Sequence, residues 1–180
     1  MAATHVALLR GINLGNHHKL AMRDLEAICA GLGWNDVVTY LRSGNVVFTA
    51  GRAEPEALGR ALAEALADQR GYDVPTLVRT ARELASIASS NPLVGRGADP
   101  ERCHVTFLAA PPAKATVAAI DPAAGKGDEF VVVGREVYLH CPNGYGRSPL
   151  ANPFWERRFA TVATTRNWRT VSALVEMAGG

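Results

Sequence analysis

Residues that could bind a charged ligand are concentrated in two short polar stretches. Residues 10–19 read Arg-Gly-Ile-Asn-Leu-Gly-Asn-His-His-Lys, and a second group combines residues 143–148 with residues 164–168. Both stretches mix glycines, amides and cations, and the second adds hydroxyls and flat aromatic rings. A loop that only connects two elements needs one glycine or one cap, so this density is typical of binding loops.

The first stretch resembles a phosphate-binding loop in its residue types. Gly11, Gly15 and Lys19 lie between a predicted strand and a predicted helix, where backbone N–H groups and a helix N-terminus can face an anion. The spacing is not that of a Walker A loop, and a tight loop without a ligand is the alternative interpretation. Arg10 could pair with a carboxylate or phosphate, or form a surface ion pair.

The asparagines near this loop also have two possible roles. Asn13 and Asn45 could donate to a ligand, but asparagine is also a common turn residue, and the turn is favoured for Asn45. The predicted ligand-binding residues of the first half are Arg10, Gly11, Asn13, Gly15, Lys19, Ser43 and Asn45.

The second stretch combines aromatic faces, permanent cations and a hydroxyl, which suits a stacked, anionic ligand such as a nucleotide. The structural alternatives are that Ser148 and Asn167 cap helices and that Trp168 packs in the core. The predicted ligand-binding residues here are Tyr145, Arg147, Ser148, Arg166, Asn167 and Trp168.

Catalytic and metal-binding patterns are weak. Ser148 and His140 could act as nucleophile and base, but no Gly-x-Ser-x-Gly elbow is present. His17 and His18 are adjacent and project in different directions, without a partner four residues away, so we predict no metal site. Neither a catalytic residue nor a cofactor can be named from the sequence, and whether the protein is an enzyme stays open.

Composition indicates a globular cytoplasmic protein. Of 180 residues, 48% are hydrophobic and 20% charged, and the formal net charge is +2. No apolar run approaches the roughly 20 residues of a membrane span, and the start of the chain lacks the basic segment of a secretion signal. The three cysteines are widely spaced without a Cys-x-x-Cys pattern, which favours a reducing compartment over disulfides or zinc.

Hydrophobic periodicity predicts an α+β fold with a repeated element order. Residues 1–80 read as βαββαβ, with residues 42–45 as the hairpin turn between the second and third strands. Residues 81–102 read as a linking helix and an irregular connection. The βαββαβ order recurs in residues 103–180 and ends with a further amphipathic helix. We therefore predict two tandem ferredoxin-like halves with antiparallel sheets, without recognisable residue-by-residue identity between them.

This topology would bring the polar stretches together. In a βαββαβ unit, the end of the first strand and the turn between the second and third strands share one edge of the sheet. Residues 10–19 would then neighbour residues 42–45, and residues 143–152 would neighbour residues 164–168. Whether these form one site or two is open.

Four motifs carry a resemblance to a known family. Residues 7–15 read Ala-Leu-Leu-Arg-Gly-Ile-Asn-Leu-Gly, residues 43–48 Ser-Gly-Asn-Val-Val-Phe, residues 145–148 Tyr-Gly-Arg-Ser and residues 164–171 Thr-Thr-Arg-Asn-Trp-Arg-Thr-Val. In this order they resemble the bacterial domain of unknown function 1697 (DUF1697). The resemblance implies a small cytoplasmic protein of two ferredoxin-like subdomains and no established activity.

Three classes of function follow from these observations. The preferred hypothesis is binding of a small anionic ligand, such as a nucleotide, through the Gly/Arg/Asn-rich loops. An alternative is a nucleic-acid-binding module, suggested by the arginine-rich end of the chain, although its predicted central strands carry few aromatics. The other alternative is a protein-interaction or oligomerisation domain, for which no distinctive patch is evident. No membrane partner is expected.

Overall fold

The protein has an α+β fold built on two four-stranded antiparallel sheets. The structure is a computed structural model and describes residues 2–15 and 17–179; Asn16, in the first polar stretch, lies outside them. One compact unit runs to Ser86 and includes the chain from Leu174 onward, and the other spans Ile87–Ala173. The sequence-based division into residues 1–80, 81–102 and 103–180 stays a prediction.

The first unit follows the order βαββαβ. Its elements are β1 (Ala3–Leu9), α1 (Met22–Gly31), β2 (Asn35–Tyr40), β3 (Asn45–Ala50), α2 (Pro55–Arg70) and β4 (Thr76–Thr80), after which α3 (Ala81–Ser89) begins. The strands lie in the order β2-β3-β1-β4, so β1 is central and pairs antiparallel with β3 and β4. Alternate residues of β1 and β3 pack with the apolar faces of α1 and α2 in one core, in which Trp34 stacks on Phe48 at 3.8 Å.

The second unit repeats this order. Its elements are β5 (Cys103–Leu108), α4 (Lys114–Ala118), β6 (Glu129–Val133), β7 (Glu136–His140), α5 (Asn152–Phe159) and β8 (Ala163–Asn167), after which α6 (Trp168–Met177) begins. The strand order β6-β7-β5-β8 matches that of the first sheet. The core surrounds fully buried Trp155, whose indole N–H donates to the Leu150 carbonyl at 2.8 Å.

Every element predicted from periodicity is present, with two notable differences in length. The sequence pattern predicts a helix over residues 112–120, but the structure has only the five-residue α4 there; none of its residues is buried, so little packing stabilises additional turns. The sequence pattern predicts a last strand over residues 162–165, but β8 continues to Asn167, which pairs with His104 of β5. Strand pairing, rather than apolar content, extends β8.

The two units also share a few residues at matching positions of their sheets, although no overall residue-by-residue identity is evident. Both central strands contain His-Val-x-x-Leu, at residues 5–9 and 104–108. In each case the histidine Nδ1 lies within hydrogen-bond distance of the carbonyl oxygen two residues earlier, at 2.8 Å for His5 and 3.3 Å for His104. The matching positions are confined to strands, and the loops and helices between them differ too much for the sequence alone to align.

The last strand of each unit repeats a buried arginine followed by a helix cap. Arg79 pairs in register with Val6, and Arg166 with Val105. The next residue caps the following helix: the Thr80 hydroxyl accepts from the Glu83 N–H at 3.1 Å, and the Asn167 side chain accepts from the Thr170 N–H at 2.8 Å. These shared positions indicate a common plan for both units.

We expect the substitution Gly59→Ala to destabilise the first unit. Alanine in a helix normally stabilises by about 0.5–1 kcal/mol relative to glycine. A Cβ at Gly59 of α2, however, would lie 2.6 Å from the Thr76 carbonyl oxygen of β4, so the close helix–sheet contact must open. The expected cost is about 1–3 kcal/mol in urea unfolding.

Gly31→Ala is the matched control, because a Cβ there, in the last turn of α1, meets nothing within 4 Å. This variant should be neutral or more stable. Equal effects of the two substitutions would contradict the described packing of α2 on β4.

Candidate functional site

Three parts of the chain meet at one end of the first sheet, which we call the first edge: residues 10–15 with 17–20, residues 41–44 and residues 71–75. The Leu9 N–H donates to the Gly44 carbonyl at 2.9 Å, and the Arg10 N–H donates to the Pro75 carbonyl at 2.8 Å. The loop that follows β1 therefore lies between the β2–β3 turn and the segment before β4. This is the proximity of residues 10–19 to residues 42–45 that the topology predicted.

The side-chain amide of Asn13 joins the loop to the turn. Its Nδ2 donates to the Arg42 carbonyl at 2.7 Å and to the Leu20 carbonyl at 2.9 Å, and its Oδ1 accepts from the Leu20 N–H at 2.9 Å. Asn13 also has a φ of 53°, a conformation that asparagine tolerates better than most residues. With both amide hydrogens engaged, Asn13 positions other groups instead of offering a free donor.

The β2–β3 turn fits tightly against this loop. Gly44 has a φ of 84°, and a Cβ there would lie 2.7 Å from the Ile12 Cδ1 atom, so only glycine suits both the conformation and the space. Asn45 is buried and donates to the Tyr40 carbonyl at 2.7 Å and to the Ser43 hydroxyl at 3.2 Å. Ser43 and Asn45 therefore have structural partners within the turn.

A stacked ring pair that was not predicted completes the first edge. The rings of His18 and Tyr72 are nearly parallel, at 3°, with centroids 4.4 Å apart, and the Tyr72 hydroxyl donates to the Lys19 carbonyl at 3.0 Å. His18 is exposed, so its ring presents an aromatic surface to solvent. The two residues are 54 positions apart, and no sequence pattern connects them.

Charge at the first edge is mainly positive. Lys19 and Arg42 are exposed and Arg10 is half-buried, whereas Asp73 is the one acid in the three segments. Gly11 and Gly15 have positive φ values of 80° and 58°, which shape the loop between these cations. Asp24 at the start of α1 is paired with Arg70 at 2.8 Å, which offsets its charge.

The second edge consists of residues 143–152 and 163–168, which the structure also brings together. The Thr165 hydroxyl lies 2.7 Å from that of Thr106 and donates to the Asn152 side chain at 2.6 Å. Tyr145 stacks on His104 at 4.8 Å, and its hydroxyl is 3.4 Å from the same Asn152 oxygen. These contacts mainly join the two segments of the second edge to each other and to β5.

Most predicted ligand-binding residues of the second edge have local structural partners. Arg166 is 7% exposed and donates from Nη1 to the Thr164 hydroxyl and the Thr165 carbonyl, at 2.8 and 2.9 Å. The Ser148 hydroxyl accepts from the Leu150 N–H at 3.0 Å, Asn167 caps α6, and Trp168 is half-buried. Arg147 is exposed. Ligand binding by this group stays a prediction.

The three cysteines are buried thiols. Burial raises the pKa of Cys29 to about 12, with Glu26 adding to the effect, and burial raises the pKa of Cys141 to about 11 beside Asp128. Burial also raises the pKa of Cys103. Protonated, inaccessible thiols are poor nucleophiles. Within the residues that the structure describes, no three His, Cys, Asp or Glu side chains are grouped to hold a metal ion.

We expect Asn13→Gly to loosen the first edge. Glycine adopts the required φ without strain, so the variant loses the side-chain hydrogen bonds and gains only the flexibility of glycine in the unfolded chain. The expected loss is about 2 kcal/mol in urea unfolding, with faster hydrogen exchange at the Leu20 amide. Asn35→Ala, at an exposed position in β2, is the control. Unchanged stability and Leu20 exchange would show that the amide of Asn13 does not join loop to turn.

We expect a thiol reagent at neutral pH to modify none of the cysteines in the folded protein and three per chain in denaturant.

The raised pKa values of the cysteines also have a consequence for stability. Above the ordinary thiol pKa of 9.0, the unfolded chain loses thiol protons that the folded chain keeps. The melting temperature should therefore be unaffected by these groups below pH 9 and fall above it, less steeply in Cys141→Ala. Fast labelling of folded protein would contradict this assignment.

Comparisons with known proteins found a similar solved structure and a matching protein family. The described helices include none with both the length and the apolar content of a membrane span. The structure is similar to that of the conserved bacterial protein SP0830 from Streptococcus pneumoniae, with a TM-score of 0.74, 20% sequence identity and 99% of each chain covered. At this identity the similarity concerns the fold alone. No curated protein matches the chain. Residues 2–138 match the family described as protein of unknown function (DUF1697), and the chain belongs to that family.

Proposed function

We propose that the first edge binds a small anionic ligand that carries a planar ring, such as a nucleotide. The observation that carries this proposal is the contact network of Asn13. By joining Leu20 to the β2–β3 turn, it brings the segments that carry the exposed cations Lys19 and Arg42 to one end of the sheet. Two cationic residues on adjoining segments raise the local positive potential, which attracts an anion.

Backbone geometry supports the anionic part of the ligand. The residue before α1, Ala21, makes no side-chain cap, so the first N–H groups of this helix have no side-chain acceptor from it. These groups carry the positive end of the helix dipole and follow directly after the loop. Arg42 and Lys19 add full charges in the adjacent segments. A phosphate is the anion that such a combination recognises well.

The stacked rings support the planar part of the ligand. The exposed ring of His18 is held parallel to Tyr72, so its orientation is fixed before a ligand arrives. A preorganised aromatic face loses little conformational entropy when a base stacks on it. The backbone carbonyl of His18 accepts from the Asn13 N–H at 3.1 Å, which ties the ring to the same network as the cations.

The first edge is the better supported of the two predicted sites. At the second edge the Arg166 guanidinium, the Ser148 hydroxyl and the Asn167 amide are engaged in local hydrogen bonds. A ligand would have to replace those bonds, which reduces the net gain from binding. At the first edge the exposed side chains of Lys19 and Arg42 can meet a ligand while Asn13 keeps its contacts.

Two broader expectations belong with this proposal. The repeated βαββαβ order and the strand order β2-β3-β1-β4 support a classification of both units as ferredoxin-like. The buried, unpaired thiols are consistent with a cytoplasmic protein. The residues of the first edge do not distinguish an enzyme that acts on the anion from a protein that only binds it.

The proposal is tested by calorimetric titration with AMP, ribose 5-phosphate and adenosine. AMP should bind most tightly, because it has both the phosphate and the ring. Arg42→Ala should weaken AMP and ribose 5-phosphate by roughly tenfold, the effect of one charge-assisted hydrogen bond. His18→Ala should weaken AMP but not ribose 5-phosphate. Arg52→Ala, an exposed position beyond the opposite end of β3, should change neither.

Salt dependence separates this function from nucleic-acid binding. A single small anion displaces few counterions, so AMP affinity should change little between about 50 and 200 mM salt. An oligonucleotide held through about six phosphates would lose roughly a thousandfold or more over that range. Tight oligonucleotide binding at the higher salt, with no binding of AMP or ribose 5-phosphate, would contradict the proposal.

A further inference from the structure

The outer strand of the second sheet, β6, has an open edge. The strand order β6-β7-β5-β8 places it at the margin of the sheet, where it pairs with β7 in an uninterrupted register. Among the described residues, the backbone of β6 makes no hydrogen bond outside that ladder. Its sequence is Glu-Phe-Val-Val-Val, and none of these residues is buried. An apolar strand with an open edge is a template for pairing with another extended segment.

The hairpin that joins β6 to β7 determines which backbone groups lie on the open side. Val133 and Glu136 flank its two-residue turn and pair with each other, whereas the carbonyl of Arg135 accepts a hydrogen bond from β5. The direction of the backbone groups alternates along a strand. The N–H and C=O groups of Phe130 and Val132 therefore point away from β7.

A groove runs along this open edge. It has a cavity volume of about 360 Å³, and its lining includes three consecutive strand residues, Glu129, Phe130 and Val131. Consecutive side chains of a strand lie on opposite faces of the sheet, so a groove that borders all three follows the edge of the strand and not one face. The buried residues Leu93 and Ile120 supply further apolar lining. The volume is in the usual range for binding sites.

The corresponding strand of the first sheet, β2, has no such continuous open edge. Its register with β3 shifts between Asn35 and Val38, and a shift of this kind interrupts the regular backbone pattern. The Thr39 N–H also donates to the Glu26 carboxylate at 3.4 Å, so a side chain occupies this backbone donor. Both features hinder edge pairing. The open edge of β6 is therefore not a general consequence of the fold.

We propose that this groove binds an extended peptide segment of a partner protein, which adds to the sheet beside β6. The alternating partial charges of the N–H and C=O groups on the open edge are complementary to those of another extended backbone. In an antiparallel arrangement, the peptide residues opposite Phe130 and Val132 exchange about four hydrogen bonds with them. Phe130 and Val132 pack against the apolar core, so the peptide residues opposite them, on the same face, carry apolar side chains.

A second copy of this chain fits the edge less well. Its own β6 is flanked by the same lining residues, including Ile120 and the exposed Pro122, which keep two such edges from reaching the roughly 4.8 Å spacing of paired strands. The five residues of β6 span about 17 Å, and two edges of that length bury well under the roughly 800 Å² per partner of a stable interface. A single peptide segment needs neither a large interface nor a second groove.

Hydrogen exchange and amide chemical shifts of isotope-labelled protein test this proposal with the peptide acetyl-Thr-Val-Thr-Val-Thr-amide. In the free protein, the N–H groups of Phe130 and Val132 should exchange faster than that of Val131, which faces β7. Saturating peptide should slow the exchange at Phe130 and Val132 by roughly tenfold or more and shift their resonances, because both N–H groups gain an acceptor.

Modified peptides separate strand pairing from nonspecific adhesion on the unmodified protein. The valines lie opposite Phe130 and Val132, so methylation of both valine backbone nitrogens removes the donors that face β6 and should weaken binding by roughly tenfold or more. Methylation of the central threonine nitrogen, which faces away from β6, is the control and should leave affinity unchanged. Replacement of both valines by serine should also weaken binding, because the apolar contacts are lost.

A protein variant assigns the binding to β6. Val132→Pro removes an outward N–H group, and an edge strand tolerates proline at such a position, so the variant should fold and bind the peptide roughly tenfold or more weakly. Val38→Ala, at a valine of β2 that is 49% exposed, is the control and should bind normally. Melting curves check folding, and the modified peptides keep the test valid if Val132→Pro does not fold.

Three results would overturn the proposal. The first is no binding of the unmodified peptide, and the second is equal affinity for the peptides methylated at the valines and at the central threonine. The third is protection of the Phe130 and Val132 amides that grows with protein concentration alone, because it would identify a second copy as the occupant. None of these results depends on the first edge, so AMP binding and peptide binding succeed or fail separately.

Discussion

The central strands β1 and β5 are the constraint on which both units depend. Each pairs antiparallel on both sides, and most of its residues are fully buried, from Val6 to Leu9 in β1 and from Val105 to Leu108 in β5. Such strands satisfy their backbone groups within the ladder and leave no room for a ligand. Polar groups near these strands must therefore lie where the strands end, and at the first edge these include Lys19 and Arg42. In the proposed function, the strands provide stability and the first edge binds the ligand.

Much of the fold could be predicted because its signals are local. Alternating and helical spacing of apolar residues identified each strand and helix, since burial on one face imposes those periods. The turn at residues 42–45 was recognisable from Gly44 and Asn45, and its proximity to the first loop followed from topology. Strand and helix ends were less certain: β8 continues to Asn167 because β5 offers a partner there, a non-local interaction. The shared His-Val and arginine positions became visible only once the two sheets could be compared.

The roles of individual site residues were harder to predict, because they depend on contacts between distant segments. Asn13 was expected to meet a ligand, but its amide is engaged by Leu20 and by Arg42, 29 residues away. Arg166 has the chemistry of an anion-binding residue, yet it is buried on β8. Conversely, His18 and Tyr72 stack on each other although no common motif connects them. Residue type indicated which groups could bind, whereas packing determines which of them are accessible.

The central claim is that anions bind at the first edge, and amide chemical shifts of isotope-labelled protein test it most directly. Titration with inorganic phosphate should shift the resonances of Gly11, Lys19 and Gly44 in a saturable manner, with smaller changes elsewhere. It should leave Tyr145 and Arg147 at the second edge almost unchanged. Saturable shifts confined to residues 143–148 and 164–168, with none at Gly11 or Gly44, would contradict the account.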